Sequence, residues 1–174
     1  EVDRLRGILT DFLEFAGRIK LDIHPQDVRG IVEDLGDFYH PQCDQAGVVM
    51  RIDLSESPAI ANVDEGMLKQ ALLNLMLNAV QAMTSHEAEH ASSELIVRVE
   101  SDDSNIRIRV VDTGPGIPAD AQEEIFHPYV STKRGGTGLG LPTTHRIIQE
   151  HGGHINVDST VGQGSDFVVC LPLS

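Results

Sequence analysis

The fold class this sequence predicts is an α+β sandwich, several helices on one face of a mixed, largely antiparallel sheet. Three observations lead there. Segments 94–101 (E-L-I-V-R-V-E-S) and 105–112 (N-I-R-I-R-V-V-D) alternate apolar with polar residues around the turn D-D-S-N, the pattern of a hairpin with one buried face. Residues 65–84 hold no glycine beyond Met67 and carry Leu68, Leu72, Leu73, Leu75, Met76, Leu77, Ala79, Val80 and Met83. These cover most of a helix's circumference, so that helix belongs in the centre of the domain. Behind Gly140 a helical pattern, T-T-H-R-I-I-Q-E-H, stops at Gly152 and Gly153, and strand-like segments 154–158 and 166–171 come next, joined through Gly162 and Gly164.

The remaining elements fill in around these. Residues 2–19 space Val2, Leu5, Ile8, Leu9, Phe12, Leu13, Phe15, Ala16 and Ile19 by three and four, which predicts an amphipathic helix. It is either docked on its own domain or one half of a hairpin whose other half lies elsewhere. Gly17 and the polar run around His24 and Pro25 separate it from the rest of the chain and favour the second reading. We therefore divide the chain into residues 1–22, a helix and linker, and 23–174, the main domain. A second helix is predicted from Asp27 to Gln45, with a possible stop near His40 at Pro41. Segments 47–54 and 59–63 read as strands, Asp64 as the N-cap of the long helix, and 118–125 as a short helix.

Composition narrows the partners. The chain has 174 residues, is 40% hydrophobic, and carries a net charge of −14 with a pI near 4.8. Such a balance argues against duplex nucleic acid or an anionic membrane as a general partner. Cys43 and Cys170 stand far apart and match no metal-ligand spacing, which reads as two reduced structural thiols in a cytoplasmic protein. H-E-A-E-H at 86–90 has the spacing of a zinc-protease motif, but it lies in a polar connector and reads as a solvated loop.

The segment from Asp112 to Leu141 is the candidate ligand site. Glycines 114, 116, 135, 136, 138 and 140 sit too close together for helix or strand, with Lys133 between the two clusters. Closely spaced glycines let a ligand approach the main chain, and a helix start behind them is an anion site. Neither G-x-x-x-x-G-K-S/T nor a strand followed by G-x-G-x-x-G occurs, and H-R-D and D-F-G are missing too, so the commoner nucleotide motifs are excluded. On the central helix, Asn74, Asn78 and Gln81 form one polar stripe. Each amide buried without a partner would cost roughly 1–3 kcal/mol, so a stripe facing a cavity is the better reading. Asp112 ends its strand, where a carboxylate at the rim of the sheet can meet a ligand without full desolvation.

These pieces together resemble the catalytic and ATP-binding domain of the sensor histidine kinases, in the GHKL or Bergerat-fold ATPase superfamily. N-L-M-L-N-A-V-Q-A at 74–82 resembles the family's asparagine box, D-T-G-P-G at 112–116 its first glycine box and I-F-H-P-Y at 125–129 its phenylalanine box. G-G-T-G-L-G-L at 135–141 resembles the second glycine box and G-Q-G-S-D-F at 162–167 the last. The resemblance covers about residues 25–174, and F-H-P-Y-V-S-T-K-R-G-G-T-G-L-G-L-P is most similar to the nitrogen-regulation type of sensor kinase.

The resemblance implies a set of roles. Asp112 would accept a hydrogen bond from the adenine amino group of ATP or ADP, with Ala82, Gly114, Gly116, Ile117 and Ser165 around the base. Asn78 would supply an oxygen to Mg²⁺, and Asn74, one turn earlier, would lie near the same ion or the γ-phosphate. Thr132, Lys133 and the run Gly136, Thr137, Gly138, Leu139, Gly140 and Leu141 would hold the triphosphate, within a lid of residues 119–137.

It implies partners as well. Residues 1–20 would be the second helix of a dimerisation and phosphoacceptor hairpin, with a homodimer and a response regulator as partners of the whole protein. None of the eight histidines sits in H-E-I/L-x-N-P, so the acceptor is expected upstream of Glu1 and this chain alone is not expected to phosphorylate itself. ATP-hydrolysing members of the superfamily place a glutamate where this chain has Asn74, so hydrolysis should be slow. A stand-alone GHKL ATPase or a relative that phosphorylates serine is the alternative.

Overall fold

The computed structural model describes residues 2–85, 92–131 and 137–174, and for Glu14 the backbone alone. The element order is α1 (Val2–Ala16), β1 (His24–Asp27), α2 (Val28–Gln45), β2 (Val48–Leu54), β3 (Ile60–Val63), α3 (Glu65–Thr84), β4 (Ser93–Ser101), β5 (Asn105–Asp112), α4 (Gly140–Glu150), β6 (His154–Thr160) and β7 (Gly164–Pro172), with a single 3₁₀ turn at Glu124–Phe126. Five strands form one sheet in the order β2-β4-β5-β7-β6. Only β2 and β4 run parallel, and the connection between them passes through β3 and α3, the kind of crossover that parallel pairing requires. The predicted sandwich is what forms.

The core lies between the inward rows of the sheet and helices α2, α3 and α4. Leu95, Val97 and Val99 of β4, Ile106, Ile108 and Val110 of β5, and Phe167, Val169 and Leu171 of β7 face Leu68, Leu72, Leu75, Met76 and Met83 of α3. Alternation sends the polar residues to the opposite face, where they pair across strands or with the β4–β5 turn. Arg98 donates to Asp53 at 2.8 Å, Arg107 to Asp102 at 2.7 Å, and Arg109 holds Asp166 through two nitrogens. In the β4–β5 turn the Ser104 and Asn105 N–H groups, followed by the Arg107 guanidinium, hold the Asp102 carboxyl down to about 2.

Three elements differ from expectation. Helix α2 continues through Pro41 to Gln45: Pro41 has no N–H to give the Asp37 carbonyl, but both residues lie on the exposed side, where solvent can reach that carbonyl. The polar residues His24–Asp27 form a strand, β1, paired antiparallel with β3. Residues 118–126 make successive turns ending in the 3₁₀ turn, with Ala121 N–H on Pro118 O and Glu124 N–H on Ala121 O, where a short helix was predicted.

Asp27 and Asp64 act as joints of this frame. Asp27 caps α2 through the Arg29 N–H, accepts from the Arg29 guanidinium, and takes the Ala59 N–H at 3.3 Å. Asp64 caps α3 through the Met67 N–H at 3.0 Å and takes the Asp22 N–H at 2.9 Å. Helix α1 rests on α4 through the Arg146 guanidinium on Phe15 O, and on the segment before α4 through the Thr137 hydroxyl on Asp11 Oδ2 at 3.0 Å. Most of its apolar side chains stay open, among them Val2 at 70% and Leu5 at 59% exposure. Among the described residues no helix is long and apolar enough to cross a membrane.

Candidate active site

The inward row of β5 is Ile106, Ile108, Val110 and then Asp112, so a carboxylate occupies a core-facing position with 4% of its surface exposed. The sequence reading placed it at the rim; the structure buries it. The reason is the loop behind the strand. Gly114 folds back so that its N–H donates to Asp112 Oδ1 at 2.8 Å, with Ala82 and Met83 of α3 closing over the same spot. A Cβ at Gly114 would stand 2.8 Å from that carboxylate oxygen. A carboxylate held inside a core needs donors to compensate its lost hydration, and the Gly114 N–H is one of them.

Across the sheet Asp112 pairs with Ser165 of β7, and Ser165 with Ser159 of β6. Paired residues share a face, so Ser159, Ser165 and Asp112 form one polar row at the end of the sheet, against the apolar row Val157, Phe167 and Val110. Ser159 Oγ donates to Gly164 O at 2.8 Å, lies 2.9 Å from Ser165 Oγ, and accepts the Ile117 N–H at 2.8 Å. Gln122 Nε2 donates to both Ile117 O and Ser159 O at 2.9 Å. The first and last glycine boxes are thus tied into one wall. Gly116 and Gly164 sit at φ +75° and +110°, and Cβ atoms there would stand 2.3 Å from Thr160 O and 1.9 Å from Asp112 O. Only glycine fits either position.

The opposite wall is the amide stripe of α3 and the start of α4. Asn74 and Asn78 are half-buried and Gln81 is exposed. Asn74 Nδ2 reaches Gly140 O and Thr144 Oγ1, both at 3.4 Å, and buried Thr144 donates to Ala71 O at 3.4 Å. Asn74 therefore braces the first turn of α4, a structural use the sequence reading did not foresee. Leu139 precedes that helix, and no side chain among the described residues caps it. Pro142 lacks an N–H and Thr143 N–H bonds Leu139 O, so the N–H groups of Gly140 and Leu141 are the ones a helix start offers to an anion. Among the described residues a Cβ built on Gly140 meets nothing within 4 Å.

At the near end of the glycine-rich loop, Tyr129 and Gly138 clasp one another. Tyr129 N–H donates to Gly138 O at 3.0 Å, with Tyr129 itself at φ 66° and Gly138 at 68°. Phe126 packs against His145 of α4 and edge-on against Phe167, seating the phenylalanine box on the core. Thr137, expected near phosphate, bonds Asp11 of α1. Ala82, Ile117 and Leu141 line the same region, half-buried, and Leu139 is buried. Thr132, Lys133 and Gly136, like H-E-A-E-H at 86–90, lie outside the described residues.

Sequence reasoning missed Ser159, Gln122, Thr144 and His151. His151 Nδ1 bonds Ile147 O at 2.8 Å and its Nε2 accepts the Asp64 N–H at 3.0 Å, which links the end of α4 to the start of α3. Since a carbonyl only accepts and an N–H only donates, the ring is the neutral Nδ1–H tautomer. Ser159 could have been found from the hairpin register around Gly162 and Gly164, which puts two serines opposite each other.

The model of the family described as histidine kinase-, DNA gyrase B-, and HSP90-like ATPase matches residues 63–174. The sensor histidine kinase ZraS of Escherichia coli (strain K12) is 33% identical over 174 residues, covering 100% of this chain and 36% of that protein. The chain thus spans about a third of the length of the curated relatives it matches. Among solved structures, full-length ShkA in complex with AMPPNP superposes with a TM-score of 0.86 at 30% identity, over 99% of this chain and 36% of that one. Histidine kinase ThkA in complex with response regulator protein TrrA shares the fold, with a TM-score of 0.82 at 23% identity, over 99% of this chain and 48% of that one.

Proposed function

Because the chain belongs to the histidine kinase-, DNA gyrase B- and HSP90-like ATPase family, as the ATP-binding catalytic domain of the sensor histidine kinases, we propose that it presents the γ-phosphate of ATP to a histidine on a dimerisation hairpin. The observation that carries the reading is Asp112, a carboxylate in a core-facing row beneath the Gly114 turn. In this reading its oxygens accept the adenine amino group, with Ile117 and Ser165 beside the base. The triphosphate runs toward the start of α4, where Gly140 and Leu141 N–H groups and the helix dipole receive its charge. The family resemblance assigns the rest of that grip to Thr132, Lys133 and Gly136 to Gly138.

Mg²⁺ fits the donor set, since the half-buried Asn78 amide offers the hard oxygen such an ion takes and lies one turn from the α4 brace at Asn74. When bound, the ion supplies neutralisation of phosphate charge. The chain's own part is positioning, which is most of what phosphoryl transfer asks of a protein. In the transfer the bond between the γ-phosphorus and the bridging oxygen breaks, a bond from phosphorus to an imidazole nitrogen forms, and ADP leaves. Asn74, an amide already engaged with α4, is a poor base for water, so transfer to histidine prevails over hydrolysis. Residues 1–22 serve as the second helix of the hairpin and its linker, and the exposed apolar side of α1 faces the rest of a helical dimer. A response regulator takes the phosphoryl group from that histidine, on the cytoplasmic side.

Calorimetric titration of ATP and ADP, with and without Mg²⁺, into this chain and Asp112→Ala tests the nucleotide site. Binding that disappears with Asp112 supports it; a chain that binds neither nucleotide overturns it. Radiolabelled ATP then tests transfer, with label expected on an added histidine hairpin as an acid-labile phosphoramidate. Label on serine, or release of phosphate at the same rate with and without the hairpin, overturns the histidine-kinase reading.

A further inference from the structure

The row Ser159, Ser165 and Asp112 fixes the direction of its hydrogen bonds. Ser159 Oγ has three partners, Gly164 O at 2.8 Å, the Ile117 N–H at 2.8 Å and Ser165 Oγ at 2.9 Å. A hydroxyl has one proton and two lone pairs. Gly164 O can only accept, so the single Ser159 proton goes there, and the Ile117 N–H takes one lone pair. The contact with Ser165 is then a hydrogen bond only if Ser165 donates. Ser165, a residue 7% exposed, has thereby committed its hydroxyl proton to Ser159 and keeps only lone pairs for anything on its Asp112 side. A carboxylate offers only lone pairs as well.

We infer that Ser159 is a specificity-determining positioning residue: by holding Ser165 as an acceptor it makes this end of the site select a purine bearing an amino group over one bearing a carbonyl oxygen. The inference rests on the site being the ATP pocket. Adenine presents an amino group at its six position, a donor, and guanine presents a carbonyl, an acceptor. Against two fixed acceptors the carbonyl meets only lone pairs, and buried groups left unpaired penalise the wrong ligand more than an extra contact rewards the right one.

Gln122 provides the control. Its Nε2 holds the same loop from the other side, through Ile117 O and Ser159 O, without bonding either serine hydroxyl. Removing it loosens the wall but leaves the Ser165 proton where it was.

The test is calorimetric titration of MgATP and MgGTP into the wild-type chain, Ser159→Ala, Ser159→Thr and Gln122→Ala, with melting temperatures alongside. Wild type is expected to favour ATP over GTP. Ser159→Ala should lower that ratio by about tenfold, the size of one hydrogen bond gained or lost, because the freed Ser165 proton can turn toward a carbonyl. Ser159→Thr, which keeps the hydroxyl, should restore the ratio. Gln122→Ala should weaken both nucleotides alike. If Ser159→Ala does not fold, Ser165→Ala reads the same quantity, since it removes the acceptor itself. A wild-type chain that binds ATP while the ratio stays fixed in a folded Ser159→Ala or Ser165→Ala overturns this inference alone. So does a Gln122→Ala ratio that falls as far as that of Ser159→Ala. A wild-type chain that binds neither nucleotide overturns the functional reading, and this inference with it.

Discussion

The two ends of the candidate site are built on opposite principles. At the Asp112 end the backbone is packed against itself, and the glycines exist because main-chain carbonyls occupy the space a side chain would need, 1.9 Å from a Gly164 Cβ and 2.3 Å from one at Gly116. At the α4 end, among the described residues, a Cβ at Gly140 would meet nothing within 4 Å and no side chain caps the helix. One end is a preorganised wall that can discriminate one base from another. In the proposed function the other offers the N–H groups of a helix start to a flexible, heavily charged triphosphate chain.

The sharpest break of this contrast is a pair of glycine substitutions. Gly164→Ala places a methyl into Asp112 O at a φ of +110°, and should destabilise the chain by about 3 kcal/mol or more in chemical denaturation. Gly140→Ala should leave stability unchanged or raise it by up to about 1 kcal/mol, the helix-propensity difference. It should still weaken ATP binding if phosphate approaches the backbone there. Equal stability losses at the two sites would dissolve the distinction.

Next in size is the charge itself. Asp112→Asn keeps the shape and the acceptor toward the Gly114 N–H, but an amide nitrogen replaces one acceptor oxygen. ATP affinity should fall by about 100-fold, the scale of a lost hydrogen bond to a charged group, while the melting temperature holds or rises because a buried charge has gone. A variant that melts much earlier would show that Asp112 is structural first and a ligand residue second.

A smaller effect is expected where the two walls meet. Asn74→Ala removes two long bonds, both 3.4 Å, from α3 to Gly140 O and Thr144. Stability should drop by no more than about 1 kcal/mol, with ATP affinity falling severalfold as the α4 start loses its brace. If affinity falls with no loss of stability, Asn74 acts on the ligand directly, as the family resemblance implies.

Most of the fold could be read from the sequence because its elements carry strong periodic signals. The alternation in β4 and β5 and the all-round apolar α3 leave little choice of partner. Strand β1 was hidden because His24–Asp27 is polar and holds a proline, and its pairing with β3 is the only thing that makes it a strand. The site showed a similar split. Glycines and amides announce themselves by type and spacing, so Asp112, Asn78 and the α4 start could be named as candidates from the sequence. The burial of Asp112 could not be read there, since it depends on Gly114 folding back under Met83. Ser159 and Gln122 act through register and loop path, and a lone serine or glutamine carries no local mark of either.

The mildest test concerns the frame behind the amide stripe. Asp64 accepts the Met67 N–H at the start of α3 and the Asp22 N–H of the linker, and these bonds, ahead of the opposing effect of burial, hold its carboxyl below the usual value of 3.8. A carboxyl lowered by folding contributes stability that is fully present above the unfolded value and is lost as pH falls through the folded one. Asp64→Ala should therefore cost about 1 kcal/mol at neutral pH, the usual worth of an N-cap, and the gap from wild type should close below about pH 4. Asp64→Asn caps nearly as well but cannot titrate, so it should stay close to wild type at neutral pH and lose the acid-dependent part. Because α3 also carries Asn74 and Asn78, ATP affinity measured across the same range shows whether the cap merely holds the helix or also sets the stripe. A fall in affinity that tracks the loss of the cap would extend the preorganised wall to the phosphate side of the site.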